Sequence, residues 1–255
     1  MEKQEYQTLY DLEESHWWYR GLRELTLYFI DKFSQGKEEF RILDAGCGTG
    51  GLLKRLTGRQ AYGFDFSPEA INFCRKRQLE NVVLGSINKA PFASGSFDLI
   101  ASLDVLYHAG VEDDQQALKE LNRLLKKDGA LILNLVAYDF LRSKHDVAVH
   151  TKRRYTVKGL RRKAEAAGFV VERITYRNTI LFPLAFIKRI SDKLFSKNQQ
   201  QPVSDLVWLP NWLNKFFTEI IFFENRLLSI TNFPFGLSVF AILRKNEKNN
   251  HGFFN

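Results

Sequence analysis

Residues 42–53, ILDAGCGTGGLL, constrain the fold of this chain more than any other stretch: an apolar run ends in Asp44, four glycines follow within six positions, and a helical segment begins. Glycine tolerates positive φ and lets a ligand approach the backbone closely, so such a run reads as the turn between a buried strand and a helix N-terminus that faces a ligand. Gly46, Gly48 and Gly51 satisfy the GxGxxG spacing, and Asp65, 21 residues after Asp44, ends the next apolar run, where a carboxylate can accept from ribose hydroxyls. The loop lacks the lysine of a triphosphate-binding P-loop. Asp44 stands just before the glycines, where it would repel a pyrophosphate and welcome a cation. That favours a sulfonium nucleoside over a dinucleotide.

From Glu38 to Tyr176 short apolar runs alternate with helical segments. The strand candidates are Phe40 to Leu43, Ala61 to Phe64, Val82 to Leu84, Phe97 to Leu103, Ala130 to Val136 and Phe169 to Tyr176. They are apolar without clean alternation and are followed by segments long enough for crossover helices, which predicts buried parallel strands. Ser67-Pro68-Glu69 predicts a helix start, Thr156 and Gly168 bracket another helix, and a third runs from about Asp113 to Lys127 with Asp128-Gly129 closing it. The fold class is α/β, a Rossmann-like three-layer sandwich.

Two segments fall outside the alternation. Residues 1–36 form a helical lid with the cluster HWWYRGLR at 16–23, and residues 177–233 form an apolar and basic helical insertion. Residues 37–176 are the core, 234–245 its last strand (Leu237 to Leu243), expected antiparallel, and 246–255 a polar, flexible tail. The longest apolar run, Ile180 to Ile187, is far short of the roughly 18 residues of a membrane span, and the acidic N-terminus does not resemble a signal peptide. A cytoplasmic protein is expected, with the inner membrane face as a candidate peripheral location. Cys47 and Cys74 have no CxxC or Cys/His spacing, so neither a disulfide framework nor a metal site is expected. The net charge of +8 is regional: residues 141–197 hold fifteen Lys/Arg against four Asp/Glu. Such a field suits nucleic acid, an anionic membrane or an anionic small substrate.

The DxGxGxG turn, the acid ending the second strand and FDLIASLDVLYH at the fourth together resemble a class I S-adenosylmethionine (SAM) dependent methyltransferase of the small-molecule type, in the type 11 and 12 groups, similar to quinone-biosynthesis methyltransferases. Within these the chain is more similar to a bacterial subgroup with HWW and Arg near the N-terminus and HDxxxHxxRRYT after strand five. The resemblance implies a seven-stranded, mostly parallel sheet with an antiparallel last strand, and SAM as cofactor. It places Asp44, Gly46, Cys47 and Gly48 at the methionine part, Asp65 on the ribose, Phe66 on the adenine face, Ser86 and Ile87 at the adenine edge, and Leu103 at the amino acid end. Ser86 stands where relatives commonly carry Asp, which leaves Asn88 as an alternative partner of the adenine amino group.

Methyl transfer from a sulfonium needs in-line placement of the acceptor and exclusion of water, and a base only if the nucleophile must lose a proton. His108, past strand four, and His145 and His150, past strand five, are the candidate catalytic residues, because loops at the carboxyl ends of strands line the crevice of a doubly wound sheet. Tyr107, Trp18, Arg20, Arg153 and Arg154 are candidate acceptor contacts; Trp17, Tyr19 and Arg23 suit the same lid, and Arg153 or Arg154 could instead tether Asp146. The expected partner is a small-molecule or lipid-linked acceptor. A membrane surface is suggested by Leu184, Ile187 and Leu194 with Lys188, Arg189 and Lys193, and by the apolar segment after the Pro202 to Pro210 linker; a homodimer would bury the same segment. Nucleic-acid methylation is disfavoured, since LDVLYH lacks the Asn/Asp-Pro-Pro-aromatic platform and no Pro-Cys nucleophile occurs. A non-catalytic SAM-fold partner protein and an NAD-dependent dehydrogenase, the latter disfavoured by the absence of a second catalytic domain, are the remaining alternatives.

Overall fold

The sheet grows outward from β1 (Ile42–Ala45), whose four residues are all buried. β2 (Ala61–Asp65) and β4 (Phe97–Leu103) flank it in parallel, β3 (Val82–Leu84) adds to β2, and β5 (Leu125–Val136) adds to β4. β7 (Ser238–Lys245) then runs antiparallel between β5 and β6 (Phe169–Arg177), completing the seven-stranded order β3-β2-β1-β4-β5-β7-β6. Strand order reverses between β1 and β4, so the crevice beyond their carboxyl ends is where an open sheet of this kind takes its ligand. The structure is a computed structural model that describes residues 3–195 and 208–246. Most of the 202–210 linker, nearly all of the expected tail and the side chains of Lys193 and Leu194 lie outside the described residues.

Helices α1 (Lys3–Leu12) and α2 (Trp17–Ser34) precede the sheet; α3 (Gly51–Arg55), α4 (Pro68–Lys76), α5 (Asp114–Leu124), α6 (Lys144–Ala148) and α7 (Val157–Ala166) lie between the strands, and α8 (Phe182–Phe195) and α9 (Asn211–Ile230) precede β7. One face of the sheet packs Ile100, Leu131 and Leu133 on Leu118 and Leu121 of α5 and Leu160 of α7. The opposite face packs Ile42, Ile132 and Phe240 on Leu25, Phe29 and Ile30 of α2 and Leu228 of α9. The leader and the insertion are therefore part of the second core layer. Asn225 on α9 donates to the Gly21 carbonyl, and an added Cβ at Gly21 would meet Ile221 at 2.0 Å, so α2 and α9 touch closely at that glycine.

Two local expectations are corrected. β3 is an exposed edge rather than a buried strand, since Val83 and Leu84 reach solvent. The helix expected to reach Lys127 ends at Leu124, because Leu125 leaves it to pair with Phe97 while Lys126 meets Asp98 at 2.7 Å; the chain then turns at Asp128 with φ 59°. The expected helix start holds, with Ser67 at the N-cap and Pro68 opening α4; the Ser67 hydroxyl donates to Glu69 rather than capping the helix, and its backbone N–H donates to Asp65.

Candidate functional site

At the carboxyl ends of β1 and β2 the glycine turn is clamped from both sides. Gly46, Gly48 and Gly50 have φ of 83°, 53° and 85°, which L side chains rarely adopt, and a Cβ on Gly46 would press into Val105 at 2.4 Å. Asp65 accepts from the Gly48 N–H at 2.9 Å through one oxygen and from the Ser67 N–H at 3.0 Å through the other. Each oxygen keeps a lone pair for a further donor. The Cys47 thiol lies 4.0 Å from that of Cys74 and both are buried, so the turn also rests on α4.

A cavity of about 760 Å³ opens above this turn. Its volume falls within the usual range for a small-molecule site. Its polar end holds Asp44, Gly46, Cys47, Gly48, Asp65 and Phe66, with Leu103 beside them. It is also lined by Trp17, Trp18 and Tyr19 of α2, Leu184, Ala185, Lys188 and Arg189 of α8, and Phe217 of α9. A small side cleft shares Gly46, Phe66, Val105 and His108 with the cavity and is lined by Ser86 and Ile87. Beside it the Ser86 hydroxyl accepts from the Asn88 N–H, the Asn88 amide donates to the Gly110 carbonyl, and Asn88 Oδ1 is buried with no donor among the described residues. Asn88 is not itself part of the cleft's lining but is bonded to Ser86 and Gly110, which are.

The electrostatics of the polar end are acidic. Burial, with Asp65 and Glu13 nearby, pushes the Asp44 carboxyl up to about 8. Desolvation also raises Asp65, against the two backbone N–H groups that favour its charged form. A ligand bringing positive charge or hydroxyl donors suits this set. These residues fit SAM: a half-exposed Phe66 ring, an orphaned acceptor, a doubly anchored ribose-type carboxylate and an uncompensated buried acid.

The site residues expected from sequence distribute unevenly. Asp44, Gly46, Cys47, Gly48, Asp65, Phe66, Leu103, Trp18, Tyr107, His108, His145 and Arg154 line the cavity. His150 lies one ring further out, stacked on His108 at 5.7 Å between centroids. Arg20 stands outside the wall, 5.6 Å over the Phe222 ring, and Arg153 donates to the carbonyls of Leu106, Val111 and Glu112. Arg154 forms a buried two-pronged pair with Asp146 at 2.9 Å and also holds the Ala137 carbonyl, so its fork serves the loop that carries His145. His108 accepts the Gly110 N–H on Nδ1 at 2.9 Å, and burial pushes its pKa down to about 4.

Glu13 and Asp104 were not singled out from sequence. Glu13, at the end of the leader's first helix, bonds Thr49 of the glycine turn and Arg77 after α4, and it occupies the space a Cβ on Gly51 would need. No local pattern announces such a long-range pair. Asp104 follows the last residue of β4 and lines the cavity; an acid one step past a parallel strand was the available signal.

A family model described as a methyltransferase domain matches residues 43–133. A tRNA (carboxymethyluridine(34)-5-O)-methyltransferase of Xenopus tropicalis is 33% identical over 99 residues, covering 38% of this chain and 16% of that protein. A malonyl-[acyl-carrier protein] O-methyltransferase of Enterobacter lignolyticus is 34% identical over 105 residues, covering 40% of this chain and 41% of that protein. The chain thus spans less than half the length of either relative. Among solved structures, a SAM-dependent methyltransferase from Thermotoga maritima matches with a TM-score of 0.56 at 20% identity, covering 95% of this chain and 96% of the other. With the glycine turn, the Asp65 anchor and the strand order already in place, residues 43–133 form the central part of a class I SAM-dependent methyltransferase domain.

Proposed function

We propose that the protein transfers a methyl group from SAM to a small molecule with an apolar body, a lipid-linked or lipid-like acceptor. The observation that carries this reading is the cavity, lined by acids over the glycine turn and by Trp17, Trp18, Leu184, Ala185 and Phe217, together with Lys188 and Arg189, beneath α2, α8 and α9. SAM supplies an activated methyl group. Asp65 would accept from its ribose hydroxyls, Phe66 would cover one adenine face, and Asn88 or Ser86 would accept from the adenine amino group. The turn at 46–48 and Asp44 would hold the methionine part. Trp17, Trp18 and Phe217 shield the apolar end from water, and holding the acceptor in line with the methyl group is the main catalytic task. His108, His145 and His150 stay candidates for contact with the acceptor, and Tyr107 and Trp18 for its wall.

The outer surfaces of the insertion suit an anionic membrane face. Leu184 and Ile187 are exposed on α8, and Trp212, Phe216 and Phe223 recur on one exposed side of α9. No helix among the described residues is long and apolar enough to cross a membrane. Part of the basic excess is spent inside the molecule, on Arg153, Arg154 and the buried Arg177, which weakens the nucleic-acid reading. Calorimetric titration with SAM and S-adenosylhomocysteine tests the cofactor; co-sedimentation with anionic vesicles at low and high salt, beside light scattering, tests the acceptor's phase. Tight NAD binding without SAM binding defeats the proposal. A clean dimer left in the supernatant assigns the α9 face to a second copy, and methylation of RNA redirects the acceptor class.

A further inference from the structure

Asp104 lines the cavity, and no contact proposed above for the cofactor uses it. It directly follows β4, with φ 60°, a left-handed conformation that is strained for an aspartate and that clusters at functional sites. Asn134, fully buried on β5, fixes it twice: the Asn134 carbonyl accepts the Asp104 N–H, and the Asn134 side-chain amide donates to Asp104 Oδ1, both at 2.9 Å. Its neighbours in that lining are Leu103, Val105 and Tyr107. The titratable and charged groups whose fields reach it are Tyr19 on α2, Tyr107 on its own turn and Arg177 at the end of β6.

Resting on the methyltransferase reading above, we propose that Asp104 is the catalytic base that receives the acceptor's proton. As an acceptor oxygen or nitrogen bonds to the methyl carbon, the carbon–sulfur bond breaks with its electron pair going to sulfur. The O–H or N–H proton passes to the Asp104 carboxylate. The products are the methylated acceptor, a neutral thioether and a neutral carboxylic acid, so charge and atoms balance. His108 is poorly suited to the same task, since its Nδ1 already accepts the Gly110 N–H. Burial raises the Asp104 pKa to about 6, closer to neutrality than an ordinary carboxylate and so better matched to proton transfer near pH 7.

Sinefungin tests this without knowledge of the acceptor, because it carries an amine where SAM carries its methyl sulfonium. An ammonium in that place lies one acceptor atom away from whatever carboxylate is set to receive the acceptor's proton and gains from its negative charge, whereas S-adenosylhomocysteine has nothing there. Both ligands are titrated calorimetrically into wild type, Asp104→Asn and His108→Gln. Expected is a preference of wild type for sinefungin that falls about tenfold or more in Asp104→Asn, with S-adenosylhomocysteine affinity little changed, and that persists in His108→Gln. In wild type alone the preference should weaken as pH drops through about 6, which decides the matter if Asp104→Asn does not fold. A preference unmoved in Asp104→Asn, flat with pH, or lost in His108→Gln overturns the role of Asp104. Binding of neither ligand by wild type overturns the methyltransferase reading as well.

Discussion

Arg77 Nη2 meets Glu13 Oε1 at 2.6 Å, with both side chains almost fully buried, so the residue that follows α4 is locked to the residue that follows α1. The same guanidinium donates to the Thr49 carbonyl at 2.8 Å, and Glu13 accepts from the Thr49 hydroxyl. Removing one member of a buried pair leaves an uncompensated charge at a cost of about 3–5 kcal/mol. Arg77→Ala should therefore lower unfolding stability by about that much and weaken SAM binding, because the glycine turn loses its outer clamp. Urea titration beside calorimetry measures both; unchanged stability would mean that water serves Glu13 as well as Arg77 does.

Asp65 is the second lever. Asp65→Ala removes the acceptor of the Gly48 and Ser67 N–H groups and the proposed ribose contact together. Two charge-assisted hydrogen bonds imply a loss of about a hundredfold or more in SAM affinity. Calorimetry that finds wild-type affinity in this variant would take the ribose out of Asp65's reach.

At the adenine edge, Ser86→Asp should preserve or tighten SAM binding, and Asn88→Ala should weaken it by about tenfold, because the orphaned Oδ1 of Asn88 disappears. Loss of binding in Ser86→Asp, with the circular dichroism spectrum intact, would show that the adenine lies elsewhere.

Asp44 makes the ligand-free protein sensitive to alkali. Its folded pKa, about 8, lies above the ordinary carboxylate value, so the folded state holds a proton that the unfolded state has released. The unfolded state binds fewer protons between about pH 4 and 8, and stability contributed by this group falls as pH rises through that window. Asp44→Asn should flatten the decline, which thermal melts in the absence of ligand between pH 5 and 9 will show. An identical slope in the variant would assign the decline to other groups.

What could be read from sequence was local. The turn at 46–51 announces itself through glycine, Asp65 through its place at the end of an apolar run, and the helix of 157–166 through Thr156, whose hydroxyl accepts the Gly159 N–H. Arg153 and Arg154 were candidate acceptor contacts because an arginine's fork fits a carboxylate on a ligand as well as one on the protein. The structure gives Arg154 to Asp146 and Arg153 to backbone carbonyls. Glu13 and Arg77 are 64 residues apart, and no periodicity links them. Nor could periodicity tell that β3 is an edge, because an apolar triplet looks alike whether one or both of its faces are covered.

Three contacts tie α9 to the leader: the Trp17 N–H donates to Asn214, Asn214 donates to the Ser15 carbonyl, and Asn225 donates to the Gly21 carbonyl, across separations of 197 to 204 residues. On a ribosome, which delivers the amino end first, β1 to β6 and the glycine turn are made before α9 exists, and β7, the strand that joins β6 to β5, is made after it. A nascent chain thus holds a nucleotide cradle with one wall missing from its reaction chamber. Synthesis halted after β6 would leave that wall unbuilt and β6 without the strand that joins it to the sheet.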